Sequence, residues 1–140
     1  MKNVMYRYAK IELEQFAMFE ENLKEVQGEI QLQTESQFGY DKEQNVLCSK
    51  IVVTFSNAEI PLMRCVSNSY FKIHSDSIKE LTDADGNIVL PTNTLVQFAS
   101  LNYGSLRGMI HLKTLGTKLS DYILPPVFFN EIITKEFIVE

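Results

Sequence analysis

The chain is poor in the residues from which small proteins build covalent frameworks and reaction centres. Its 140 residues include two cysteines, two histidines, four prolines, six glycines and no tryptophan. Cys48 and Cys65 each sit inside a strand-like run, so they read as two reduced, buried thiols and no disulfide framework is expected. Neither His74 nor His111 has a Cys or carboxylate at ligand spacing, which leaves no metal site to expect. The glycines (Gly28, Gly39, Gly86, Gly104, Gly108 and Gly116) form no phosphate-binding pattern. No apolar run approaches the roughly 18 residues of a membrane span. The N-terminal sequence Met1 to Glu12 lacks the apolar core of a secretory signal, so a cytoplasmic chain with no membrane insertion is expected. Basic residues are outnumbered 13 to 18, for a net charge of −5. That leaves no basic stripe to displace counterions from phosphates, and nucleic acid is not an expected partner.

What remains is an ordinary apolar fraction arranged in strand and helix patterns. A chain of this length buries about 70% of its unfolded surface without metals or disulfides, and a single domain over residues 1–140 is expected. Strand patterns come first and helix patterns last, an α+β order. Ile11-Glu12-Leu13-Glu14 alternates, then Phe16 and Met18 continue on the other parity, which predicts a bulge near Gln15. From Glu29 to Phe38 the odd positions are all Glu or Gln, so one face meets water and the other a core. The run Val46 to Phe55 places Leu47, Ile51, Val53 and Phe55 on one face, and Ile60 to Ile73 is the longest strand candidate. The short turns between these runs predict an antiparallel meander of the second, third and fourth strands, with the first beside them.

The stretch Leu90 to Ile133 organises the rest. Pro91 precedes a helix, with Thr92 or Asn93 as capping candidates, and the apolar periodicity runs from Thr92 to about Leu115, where Gly116 stops it. One stripe holds Leu95, Ala99, Tyr103, Leu106 and Ile110, and a second holds Phe98, Leu101, Met109 and Leu112. Two stripes are more than a single core needs, so the second predicts an oligomer interface. Gly104 and Gly108, four residues apart, would allow close helix packing there, and Arg107 is either an interface ion-pair partner or a solvated charge. Ser77 to Leu81 reads as one helical turn. Pro125-Pro126 forces an extended link, and Asn130 opens a short terminal helix.

Reaction chemistry finds little support. Asp83, Asp85 and Asn87 share the opening of a calcium loop, but Ile88 stands where glycine is required and Thr94 where glutamate is, so the reading is an Asp-Gly turn. No glycine elbow or oxyanion-type loop flanks Cys48 or Cys65. No catalytic residue, cofactor or metal is expected, and the chain does not read as an enzyme.

Four strands, Leu90-Pro91 at a helix start, Leu106-Arg107-Gly108 late in that helix, and Leu124-Pro125-Pro126-Val127-Phe128 before a short last helix resemble the SecB export-chaperone family. The longer segment Met109 to Leu119 resembles the divergent SecB-like proteins. The resemblance implies a four-stranded antiparallel sheet with a long and a short helix on one face. It also implies an ATP-independent holdase for unfolded or pre-secretory polypeptide, linked to protein export and translocation, and a homotetramer arranged as a dimer of dimers. The acidic tail common in the export chaperones does not follow the last predicted helix, so docking to the translocase ATPase is not implied. Some SecB-like proteins serve toxin–antitoxin systems, which makes a module dedicated to one protein partner the alternative.

Phe16, Met18 and Phe19, with Leu119, Tyr122, Ile123, Phe128 and Phe129, share no single helix or strand face. They are either core closures or the lining of a peptide-binding groove, where aromatic and Met side chains adapt to many sequences. A closed cavity with convergent polar groups would instead indicate a small ligand.

Overall fold

The computed structural model describes residues 3–140. Four strands, β1 (Tyr6–Met18), β2 (Gln31–Asp41), β3 (Val46–Asn57) and β4 (Ile60–Ile73), form one antiparallel sheet in the order β1-β4-β3-β2. The meander β2-β3-β4 is as the short turns require, and β1 closes it on the far side of β4. The register of β1 shifts between Tyr8 and Lys10 and between Leu13 and Gln15. The second shift is the bulge expected from the parity slip, and the first repeats it upstream. The two shifts keep Tyr6 and Tyr8, then Ile11 and Leu13, then Phe16 and Met18 on one side of a single strand.

The chain crosses from β1 to β2 around the end of the sheet, through a 3-10 helix at Glu20–Glu25. Asn57 holds this crossing in place. Its buried amide accepts the Gln27 N–H at 3.1 Å and donates to the Gln27 and Glu29 carbonyls at 2.9 and 2.8 Å. The adjoining β3–β4 turn places Ala58 and Glu59 at φ of 46° and 73°, a left-handed pair that glycine would adopt at lower cost.

Beyond β4 come α1 (Ser75–Leu81), β5 (Ile88–Leu90), α2 (Thr92–Thr114), α3 (Phe129–Ile132) and β6 (Phe137–Val139). Pro91 itself occupies the cap of α2, with its carbonyl accepting from Thr94 and Leu95; neither Thr92 nor Asn93 makes a side-chain cap. The helix ends at Thr114, and Gly116 at φ 79° reverses the chain in a conformation that disfavours side chains. One pairing lies outside the sequence reading: β5 pairs antiparallel with β6 in a separate two-stranded sheet.

Helix α2 lies on the inner face of the main sheet, and the interior divides into two apolar clusters. Ile51, Val53, Phe55, Leu62, Met63 and Cys65 meet Ala99, Tyr103, Leu106 and Ile110 in one. Leu47, Phe71 and Ile73 meet Leu95 and Phe98 in the other, where the Phe71 and Phe98 rings stack at 4.0 Å. Serines separate the two. Ser49, Ser67 and Ser69 on β3 and β4 are fully buried, and Asn102 of α2 comes down among them. Its Nδ2 donates to the carbonyls of Ser49 (2.8 Å) and Ser67 (3.0 Å), and its Oδ1 accepts from the Ser67 hydroxyl at 2.7 Å. Tyr8 extends the seam, its hydroxyl bonding Ser69 Oγ and, at 3.2 Å, Ser105 Oγ on the helix.

A buried amide with every donor and acceptor used fixes helix register, and losing it strands the groups it served. Asn102→Ala is expected to destabilise the fold by on the order of 3 kcal/mol. Asn102→Asp, which sets a carboxylate against two carbonyl oxygens, should cost at least as much. Urea unfolding, read as a shift in midpoint at constant slope, checks both.

Candidate peptide-binding site

Cross-strand register aligns the inner face into rows. At one end Met18, Met63, Phe55 and Leu32 lie side by side across all four strands, and Phe16, Cys65, Val53 and Thr34 form the next row. The segment between α2 and α3 covers this end. It is fastened at Pro125, whose carbonyl accepts the Tyr103 hydroxyl at 2.7 Å, and at Lys118, whose N–H reaches Glu20 Oε2 at 3.4 Å. Leu119 and Leu124 point into the core, and Tyr122 stacks on Phe55 with ring centroids 5.8 Å apart.

The residues expected to line a groove therefore separate. Leu119, fully buried, and Phe129, packed edge-on against Tyr103, belong to the core, and this corrects their expected place on a binding surface. Phe16, Met18 and Tyr122 are half-buried around the first cluster, and Phe19 is half-buried where its N–H meets the Leu62 carbonyl. Ile123 and Phe128 are open to solvent, at 56% and 67% exposure. A segment without helix or strand repeat alternates between anchors and free apolar side chains. No periodicity announces which is which, and only the seat on the sheet sorts them.

The residues expected at an oligomer interface also divide. Phe98 is fully buried against Phe71 and Tyr6, which corrects its place in the second stripe. Leu101, Gly104, Arg107, Gly108 and Leu112 are exposed and Met109 is half-buried. Leu101, Gly104, Gly108 and Leu112 fall on one side of the helix by spacing. Leu13 of β1, Met109, Leu112 and Lys113 border an open hollow of about 430 Å³ between strand and helix, and Ile11 beside Leu13 on the strand is 50% exposed.

The opposite, outer face of the sheet is polar. Asn68 is buried and donates to Glu12 Oε1 at 3.2 Å and Glu14 Oε1 at 2.9 Å, while Tyr70 donates to the same Glu12 oxygen at 3.0 Å. Lys10 and Lys50 reach Glu12 and Glu14 at 3.4 Å each. Hydrogen bonds from Asn68, then Tyr70 and Lys10, hold Glu12 below the usual carboxylate range, and Asn68 and Lys50 do the same for Glu14. Cys48 lies on this face opposite Tyr70 and Gly39, whereas Cys65 lies on the inner face opposite Phe16. Burial pushes the Cys48 thiol up and the Cys65 thiol up to about 12, so both stay protonated at neutral pH and neither is an activated nucleophile. The hollow around Cys48 and Tyr70, about 550 Å³, opens to solvent and is bordered by Ala9 and Gly39.

Asp83 makes a turn: its Oδ1 accepts the N–H groups of Asp85 and Asn87 at 3.0 and 2.9 Å. Among the described residues, no three His, Cys, Asp or Glu gather as a metal site, and no helix is long and apolar enough to cross a membrane.

A four-stranded antiparallel sheet in this order, with a long helix and a short one on a single face, is the SecB-like fold. The comparison that carries this is with the SecB-like chaperone Rv1957 of Mycobacterium tuberculosis, solved in complex with a ChAD peptide from the Rv1956 HigA1 antitoxin. It is 14% identical, matches over 87% of this chain and 90% of that one, and superposes with a TM-score of 0.52. A protein of unknown function from Streptococcus agalactiae, 10% identical over 90% of this chain and 98% of that one, has a TM-score of 0.30, too remote to bear on the fold. No protein-family model matches the chain, and no curated protein matches it in sequence.

Because Asn68 serves both carboxylates, Asn68→Ala should raise the titration midpoints of Glu12 and Glu14 together. The depressed values mean that their contribution to stability is present above the ordinary midpoint of 4.5 and fades as pH falls through the lowered one. Carboxyl carbon shifts followed by NMR from neutral to acid pH measure both midpoints in the same titration.

Proposed function

We propose that this chain is an ATP-independent chaperone that holds extended apolar segments of other polypeptides. The observation that carries the reading is the apolar surface of the segment between α2 and α3: Ile123 and Phe128 are exposed on it, while its Tyr122 rests on the core. An arrangement of fixed anchors and free apolar side chains suits low-selectivity capture, since it adds contacts without requiring one client sequence. Burial of client surface contributes about 25 cal/mol per Å², offset by ordering of the client, so holding rests on many weak contacts. The peptide-bound state of the Mycobacterium tuberculosis neighbour supports a polypeptide ligand, and with it the reading in which one dedicated partner, such as an antitoxin, is the client.

Ile123→Ser with Phe128→Ser removes exposed apolar area and leaves the core untouched. The pair should lower suppression of aggregation of a denatured model protein, at one assembly per client, without shifting the melting temperature. Absence of suppression by the folded wild-type chain in several-fold excess, without ATP, would leave only the dedicated-partner reading.

The same reading includes assembly. The exposed Leu101 and Leu112 on α2 and Ile11 on β1, with the small residues Gly104 and Gly108 between the two leucines, suit a second copy packed closely along the helix, and a homotetramer built as a dimer of dimers is the proposed form. Leu101→Glu with Leu112→Glu would bury unpaired charges at that contact and should reduce the mass measured by light scattering at micromolar concentration. A monomeric wild-type chain would refute the assembly.

A further inference from the structure

We propose that the outer face of the sheet carries a separate ligand site, a hollow between Gly39, Cys48 and Tyr70 that takes a small aromatic molecule bearing an anionic group. It lies across the sheet from the proposed groove and does not rest on the peptide-binding reading.

Cross-strand register builds the hollow from small residues. One outer row runs Lys10, Tyr70, Cys48 and Gly39 across all four strands, and the next runs Arg7, Lys72, Val46 and Asp41. Nothing within the chain requires the glycine. Gly39 has no positive φ, its pairing with β3 is unbroken by a bulge, and a Cβ built on it meets no atom within 4 Å. Glycine weakens a strand interior, and where neither bulge nor packing demands it, it marks close approach by a ligand or another backbone. Ala9, the unpaired residue of the first register shift in β1, borders the same hollow. The space they leave is about 550 Å³, open to solvent and lined by Val46, Cys48 and Tyr70. That falls within the roughly 300–1,000 Å³ of small-molecule sites, as does a largely apolar lining with a few polar groups at its border.

Charge specifies the ligand. Arg7 and Lys72 stand directly opposite each other on β1 and β4, and like charges so placed destabilise pairing. Neither forms an ion pair with a described residue. Lys72 instead donates to the carbonyl of Gln44, which lines the hollow. Lys10 adds a third base, its Nζ 5.5 Å from the centre of the Tyr70 ring. The acids nearby are already engaged. Asp41 Oδ1 accepts the N–H groups of Glu43 and Gln44 at 3.0 and 3.2 Å, and Glu12 accepts from Asn68, Tyr70 and Lys10. Burial, and then the bond to Glu12, push the Tyr70 phenol up to about 12, and burial keeps the Cys48 thiol protonated, so neither repels an anion. A flat ring seated over Gly39 and Cys48 beside Tyr70 gains apolar burial, and an anionic group directed toward Lys72 and Arg7 offsets their repulsion. An unneeded glycine and a like-charge pair are two breaches of strand rules on adjoining rows, and such breaches gather at functional sites.

The test uses the full-length chain with naphthyl phosphate as the probe, and naphthol and inorganic phosphate as its two halves. The chain has no tryptophan, so naphthyl emission reads binding directly. Alkylation of Cys48 by iodoacetamide, followed by peptide mass, reads the place. Saturating naphthyl phosphate should slow that alkylation by roughly fivefold or more, with either half at the same concentration protecting far less. Cys65, fully buried on the inner face, should stay unmodified throughout, which shows that the fold is intact. Gly39→Val should weaken the probe roughly tenfold or more without lowering the melting temperature, since valine suits a strand and fills the space. Arg7→Gln with Lys72→Gln should weaken it by roughly 3- to 10-fold at low salt, less as salt rises, and leave naphthol binding unchanged. No emission change and no protection at millimolar probe would overturn the site, as would equal protection by naphthol or by phosphate alone. Binding that survives Gly39→Val would also overturn it, and if the same binding falls in the Ile123→Ser, Phe128→Ser pair, the probe sits in the groove instead. The protection series uses the wild-type chain, so misfolding of a variant leaves the test intact.

Discussion

The seating of α2 on the sheet depends on one buried amide. Asn102 enters a largely apolar interface at a band where β3 and β4 offer small polar side chains, and it uses both its donors and its acceptor there. Apolar contacts alone tolerate sliding of a helix along a sheet, because leucine against valine is nearly as favourable one turn away. An amide bonded to two specified carbonyls does not tolerate it. Serines 49, 67 and 69 make the approach possible, since larger side chains at those positions would lift the helix away.

With the helix held at its middle, each half has a different task. Its first half closes over Leu47, Phe71 and Ile73, where the β5–β6 pair and α1 complete the cover. Its second half closes over Ile51, Val53 and Phe55 and leaves the end of the sheet to the irregular segment between α2 and α3. That segment has few ladder hydrogen bonds of its own. It stays in place through Leu119 and Leu124, which are buried, and through the Tyr103–Pro125 contact. A covering layer built this way leaves apolar side chains at the surface, since irregular backbone has no repeat that would turn all of them inward.

Charge is sorted between the layers in the same manner. The outer face of the sheet pairs its acids and bases around Asn68 near β1, whereas the acids of β2 have no bases opposite them. Charge around Asn68 is thus balanced within the chain, and charge along β2 is not.

Much of this was legible in the residues. Alternation along β2, β3 and β4 marks the buried face of each strand, and the parity slip between Leu13 and Phe16 marks the bulge, because side-chain direction in a strand has a strict period of two. Pro91 and Gly116 bracket α2 because one is excluded from helix interiors and the other adopts the left-handed turn that ends them. The sequence by itself therefore determined the four long strands and the α-helices, their order and the α+β class. Tertiary structure alone decided which of two apolar stripes on α2 faces inward at Phe98, where Phe71 lies beneath it, and outward at Leu101 and Leu112. It also decided that Leu119 and Phe129 close the core while Ile123 and Phe128 stay at the surface, and that the three residues of β6 find β5. Asn102 stood in view as an amide between Phe98 and Leu106, but its partners come from strands 35 and 53 residues away. Periodicity reports which side of an element is apolar. It carries no information on what lies opposite, and burial is settled by what lies opposite.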